Sequence, residues 1–326
     1  MKSVVEIADP AIHVRDDLRR VEAKLTTRLD SNEALISEIA HYLVDSAGKR
    51  LRPLFILLVY RACGGSDAQV EDAIDAAIAL ELIHSATLLH DDIIDGGELR
   101  RGKPSAFARY GTAAALVAGD FLFCRAFELC GRFDERLVQI AARACIQLTE
   151  GEVMESRMRH QTGANFEDYL TIITRKTASL FAAGGRIAAD LAGGSQATIA
   201  AMENLGCAFG RAFQMIDDVL DVVGPEAKIG KPVGSDLRAG VLSLPAVIAM
   251  EESLELRNYF GNGKVVDEAG FAKMIALMAR PAALQRARDR ATDQIAIARA
   301  LLGELASSRF RDSLAVLIED QTARDS

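Results

Sequence analysis

The chain has 326 residues, half of them hydrophobic and 26% charged, which excludes a disordered or low-complexity protein and leaves ample apolar material for a core. Only seven prolines and no tryptophan occur, and Ala, Leu, Ile, Glu and Arg dominate, so the expected fold class is all-α. A formal net charge of −8 weighs against a nucleic-acid partner.

In chain order, residues 11–45 read as an amphipathic helical region. The stretch GKRLRP, from Gly48 to Pro53, marks a junction before the apolar run LFILLVYRAC. GGSD at 64–67 breaks the chain and is placed to cap the next helix, expected from Ala68 to about Asp95 and apolar on nearly every face. GGELRRGKPS reads as a loop, followed by helices over Thr112–Cys130, Asp134–His160, Tyr169–Ala192 and Gln196–Val223. A polar loop covers 224–240, and helices fill 241–321. No linker or strand-period alternation interrupts this pattern, so one domain over 1–326 is expected.

The five cysteines, Cys63, Cys124, Cys130, Cys145 and Cys207, form no CxxC pair and read as small buried hydrophobes of a reducing compartment. No apolar run reaches membrane-spanning length, and MKSVVEIADPAIHVRDD has no signal-like core. A cytoplasmic protein without a transmembrane segment is the expectation.

One motif occurs twice. HDDIID at 90–95 is echoed by IDDVLD at 216–221, each closing a long apolar helix. On a helix, positions one, two and five of DDxxD share a side, so Asp91, Asp92 and Asp95 crowd together, as do Asp217, Asp218 and Asp221. Like charges so placed repel by ~0.2–0.5 kcal/mol per exposed pair. A helix C-terminus disfavours anions further. A solvated acidic surface would account for one such patch, but two matched copies call for cations. Hard oxygen donors with no Cys among them suit Mg²⁺, bridged to substrate phosphates. Two such walls facing each other would clamp a diphosphate.

Basic residues fit that picture. Arg100 and Arg101 follow the first patch, Lys49, Arg50 and Arg52 cluster in GKRLRP, Lys176 lies within TRKTASL, and Lys231 lies in the polar loop. Their separation suits two phosphate-bearing ligands better than one. His84 sits two turns before Asp91, as either a core histidine or a phosphate-directed donor.

From Gly48 to about Pro245 the chain resembles the trans-isoprenyl diphosphate synthases. The matching stretches are GKRLRP, IHSATLLHDDIIDGGELRRGKPS, AGDFLF, RKTASLF and FQMIDDVLDVVGPEAKIGKPVGSDL. The resemblance implies an all-α bundle around a deep central apolar cavity, usually a homodimer, that condenses isopentenyl diphosphate repeatedly onto an allylic diphosphate. It further implies that Asp91, Asp92, Asp95 and Asp217 hold Mg²⁺, with Asp218 and Asp221 nearby. Arg100, Lys176 and Lys231 would contact the allylic diphosphate. Lys49, Arg52, His84 and Arg101, with Arg50 in the same cluster, would serve isopentenyl diphosphate, and Gln214 and Thr177 would line the reacting centre. Val241 departs from the family pattern, standing where a diphosphate-contacting lysine is common.

Product length is read from the same helix. In the family a bulky aromatic one turn before the first aspartate stops elongation, whereas Ala86 and Thr87 are small here, and Ile83 lies deeper. Long products, octaprenyl to decaprenyl and suited to quinone side chains, are therefore expected, with Phe123 or Phe127 as possible floors. A geranylgeranyl-length synthase is the alternative, as is a non-catalytic subunit, although such a subunit would be expected to lose one aspartate set.

Overall fold

A computed structural model describes residues 9–44, 50–100, 102–224, 233–262 and 267–323. Among these, helices α1 (Arg15–Arg28), α2 (Ala34–Val44), α3 (Leu51–Ala62) and α4 (Val70–Ile94) come first. A minimal hairpin follows, β1 (Leu99–Arg100) paired antiparallel with β2 (Lys103–Pro104). Next come α5 (Ala106–Tyr110), α6 (Thr112–Cys130), α7 (Glu135–Met158), α8 (Phe166–Ile173) and a π-helical turn (Thr174–Ala178). Helices α9 (Ser179–Leu191), α10 (Gln196–Val223), α11 (Ser235–Ala239), α12 (Leu244–Glu252) and α13 (Leu254–Asn262) continue the chain. It finishes with α14 (Glu268–Met278), α15 (Pro281–Leu301) and α16 (Arg309–Ala323). The fold is all-α.

Contacts divide the chain into two units, each assembled from separate stretches. The first holds residues 1–145, 180–206 and 298–319, and the second holds 146–179, 207–297 and 320–326. In the first, α4 is the core element. Ala73, Ile74, Ala77, Ile78, Leu80, Leu82 and Leu89 are all buried, so nearly every face of the helix meets protein. Its 25 residues are long and apolar enough to cross a membrane, contrary to the sequence expectation, but 83% of the apolar window is buried within the protein. Two of its buried charges are compensated along its length: Asp75 receives Lys24 Nζ at 3.1 Å and an ion pair from Arg132, and Glu81 lies 3.5 Å from Arg50 Nη1. The helices α9 and α10 meet backbone to backbone in this unit. A Cβ on Gly185 would fall 2.2 Å from the Met202 carbonyl oxygen, and one on Gly206 would fall 2.2 Å from that of Phe181.

The second unit is organised around Tyr169, Met215, Val219, Leu244, Phe260 and Met278, all buried together. Several boundaries differ from the sequence reading. The 11–45 region is two helices, and α4 begins at Val70, where Gln69 gives no side-chain cap, so GGSD does not cap it. Residues 96–105 contain a hairpin instead of a plain loop, because Gly96 and Gly102 take positive φ and turn the chain back. The helix expected from Tyr169 starts at Phe166, where Asn165 and Asp168 form a reciprocal capping box.

Candidate active site

At the end of α4, Asp95 donates its backbone N–H to the Asp91 carbonyl at 2.8 Å, so the two aspartates stack one turn apart. Asp92 turns inward and is 4% exposed. Arg100 grips its carboxylate as a fork, Nε lying 3.0 and 2.9 Å from Oδ1 and Oδ2, and Nη2 2.7 Å from Oδ1. The hairpin carrying Arg100 is tethered by the Gly97 N–H to the Asp92 carbonyl at 2.9 Å. Asp92 therefore joins hairpin to helix.

The preceding turns of α4 also bear on the site. His90 packs its ring where Gly119 has no side chain, with Nε2 3.1 Å from the Leu116 carbonyl oxygen. His84 is partly exposed two turns before Asp91. Ala86 is fully buried, Ile83 and Thr87 are buried beside it, and the Thr87 hydroxyl donates to the His84 carbonyl at 2.8 Å. Two turns farther back, Ala79 lines a small apolar pocket with Ala76, Leu80, Cys130, Phe133 and Leu137. Phe133 and Leu137 were not singled out from sequence, since only packing brings them to α4. Phe127 is 52% exposed, and the Phe123 ring centre lies 5.9 Å from that of His90.

Of the GKRLRP cluster, Arg50 takes positive φ and is drawn inward, its Nε 2.6 Å from Glu22 Oε1 and Nη2 3.0 Å from the Val44 carbonyl. These bonds hold Arg50 within the protein through Glu22 and Val44. The Arg52 guanidinium lies 4.8 Å from the Phe181 ring centre. Lys49, Arg101 and Lys231 lie outside the described residues.

In the second unit a chain of hydrogen bonds runs from the π-turn to α10. Thr177 Oγ1 donates to Gln214 Oε1 at 2.8 Å, Gln214 Nε2 donates to Asp218 Oδ1 at 2.9 Å, and the Leu244 N–H donates to Asp218 Oδ2 at 2.9 Å. Both oxygens of Asp218 are thus engaged. Burial, with the Asp236 charge added, pushes its carboxyl up to about 8. The Tyr169 hydroxyl is buried beside it without reaching normal hydrogen-bond geometry to any partner, and burial followed by the Asp218 charge raises it well above the usual phenol range. Asp221 is buried too. It receives Ser235 Oγ at 2.7 Å and the Asp236 N–H at 3.3 Å, and its carbonyl accepts from the Gly234 N–H at 2.8 Å. Asp217 is partly exposed. Of the six aspartates expected to bind metal, Asp92, Asp218 and Asp221 are buried and hydrogen-bonded within the protein.

Lys176 stands on the π-turn, with Nζ 2.7 Å from Glu152 Oε2 and 2.5 Å from Glu155 Oε2, both on α7. Its backbone N would lie 2.5 Å from a Cβ on Gly151, so glycine is required where α7 passes the turn. Val241 gives no cation, but its N–H donates to the Asp236 carbonyl at 2.8 Å and closes the turn after α11.

No three His, Cys, Asp or Glu side chains among the described residues form a ready-made metal cage. The outward donors are carboxylates alone, which fits a hard divalent cation that takes the rest of its shell from water and substrate phosphate.

The polyprenyl synthetase family profile matches residues 33–278. A short chain isoprenyl diphosphate synthase of Methanothermobacter thermautotrophicus is 35% identical over 94% of this chain and 98% of its own length. A nonaprenyl diphosphate synthase of Mycobacterium tuberculosis is 34% identical, covering 96% of this chain and 94% of its own. A polyprenyl synthase of Caulobacter crescentus, crystallised with calcium and isoprenyl diphosphate, superposes with a TM-score of 0.92 at 34% identity over the whole of both chains.

Proposed function

The chain belongs to the polyprenyl synthetase family and is a trans-prenyltransferase, and on that premise we propose that it adds isopentenyl diphosphate repeatedly to an allylic diphosphate such as farnesyl diphosphate, giving products of octaprenyl to decaprenyl length. The observation that carries the length is Ala86. It is a small residue, fully buried, one turn before Asp91 and above the apolar pocket at Ala79. An all-trans tail growing down this side of α4 would meet no aromatic block at Ala86, with Phe133 standing farther on in the pocket at Ala79.

The cation is Mg²⁺ in this reading, for which Asp91 and Asp95 on α4 would be ligands in the first unit and Asp217 on α10 a ligand in the second; when bound it would supply the positive charge that stabilises departing diphosphate. The protein's own cations, Arg100 and Lys176 with Lys231, add to that stabilisation, and Lys49, Arg52, Arg101 and His84 serve isopentenyl diphosphate. Thr177 and Gln214 are held in place by the hydrogen-bonded Asp218. A water-excluding apolar cavity protects the allylic cation.

Purified protein with Mg²⁺, labelled isopentenyl diphosphate and farnesyl diphosphate should yield a ladder of long polyprenols after phosphatase treatment. No elongation from any primer would overturn the activity. Products stopping at geranylgeranyl length would overturn the long-chain reading, a second possibility that the similarity to a short chain synthase keeps open. Ala86→Phe should shorten the products, and unchanged length would remove α4 from the tunnel wall.

The same reading makes the protein a single-domain cytoplasmic homodimer supplying quinone side chains. Leu116 and Phe127, three turns apart on one side of α6, are exposed, as is Val117 next to Leu116, and they suit burial against a second copy.

A further inference from the structure

Lys176 is not held for substrate alone. Two carboxylates meet its ammonium, so the triad with Glu152 and Glu155 carries a net negative charge. Glu152 is buried, and the ammonium 2.7 Å from its Oε2 supplies the counter-charge to its carboxylate. The contact is fixed by backbone: at Gly151, next to Glu152, α7 approaches the π-turn so closely that a Cβ would strike Lys176 N and Cα. Arg175, the neighbour of Lys176, is tied to the same helix through Glu150 at 3.0 Å. The triad is therefore a built feature and not a pair of wandering surface chains.

Resting on the reading of Lys176 as a diphosphate contact, we propose that Glu152 and Glu155 are a counterweight to the incoming diphosphate, so that substrate reaches the ammonium only by exchange with a carboxylate. Drawing Lys176 toward diphosphate strips Glu152 of its counter-charge, and an uncompensated buried carboxylate opposes the move. The device holds diphosphate affinity below what Lys176 could give. That matters for an enzyme that must release a diphosphate after every condensation.

The test is calorimetric titration of inorganic diphosphate with Mg²⁺ into the full-length protein, with far-UV circular dichroism to verify folding. Glu152→Gln keeps shape and removes charge; it should bind diphosphate about tenfold more tightly, equivalent to ~1.4 kcal/mol. The KM for the allylic diphosphate should fall in parallel. Lys176→Gln should weaken binding, and in the Glu152→Gln/Lys176→Gln double variant the gain should vanish. If Glu152→Gln does not fold, Glu155→Gln carries the same expectation. Weaker binding in Lys176→Gln with no gain in either glutamate variant would overturn the counterweight and leave the Lys176 assignment standing. A gain that survives in the double variant would overturn the exchange in favour of a diffuse field effect. Unchanged binding in Lys176→Gln would remove the premise itself.

Discussion

Replacing Arg100 by lysine keeps the charge but loses the planar fork that grips both oxygens of Asp92. Losing charge-assisted bonds of ~1.5–3 kcal/mol should loosen the hairpin from α4 and cut kcat/KM by roughly tenfold to a hundredfold, readable in steady-state kinetics. Asp218 gives a prediction in pH. Its folded-state carboxyl is raised to about 8 from an ordinary value near 3.8, so between those values the folded protein holds the proton better than the unfolded chain. Its contribution to stability is complete below the lower value and is lost as pH rises toward the upper one. In metal-free buffer the Tm should fall over that window, and Asp218→Asn should flatten the fall; an unchanged slope would contradict the assignment. The six aspartates were legible from spacing, but which of them point inward was not. Helical periodicity fixes a side of the helix, whereas depth depends on partners such as Arg100, Leu244 and Ser235 that lie elsewhere in the chain.

At the scale of elements, the π-turn is the feature the sequence concealed. One extra residue per turn over Thr174–Ala178 does not disturb the run of apolar residues around it, so TRKTASLF reads as ordinary helix. The capping box at Asn165 and Asp168, by contrast, stands in the sequence as N-x-x-D, and it is the signal that moves the helix start from the expected Tyr169 to Phe166. The π-turn and α7 depend on each other through Gly151. Gly151→Ala puts a methyl 2.5 Å from Lys176 N, so it should shift the turn and displace both Lys176 and Thr177. Activity should drop far more than Tm, because a small misplacement at the reacting centre weighs more in rate than in stability. Equal losses would mean that the contact is merely structural.

For the whole molecule, fold class followed from composition, because helix formers and long apolar periods leave no room for a sheet. Which helix faces stay uncovered did not follow, and α6 shows why: Phe127 sits in the apolar run FLFCRAFELC yet emerges exposed. Phe127→Glu should leave the fold intact by circular dichroism while light scattering reports the mass of one chain in place of two; a persistent dimer would place the interface elsewhere. The bonds from Ser235, Asp236 and Gly234 to Asp221 have a consequence in polymer terms. They tie the exit of the 222–233 segment to its entrance, making it a closed ring whose entropy varies only with the logarithm of its length. Doubling that ring with Gly-Ser repeats should destabilise the fold by only about 0.6 kcal/mol. Length between the two tied ends is thus nearly neutral for folding.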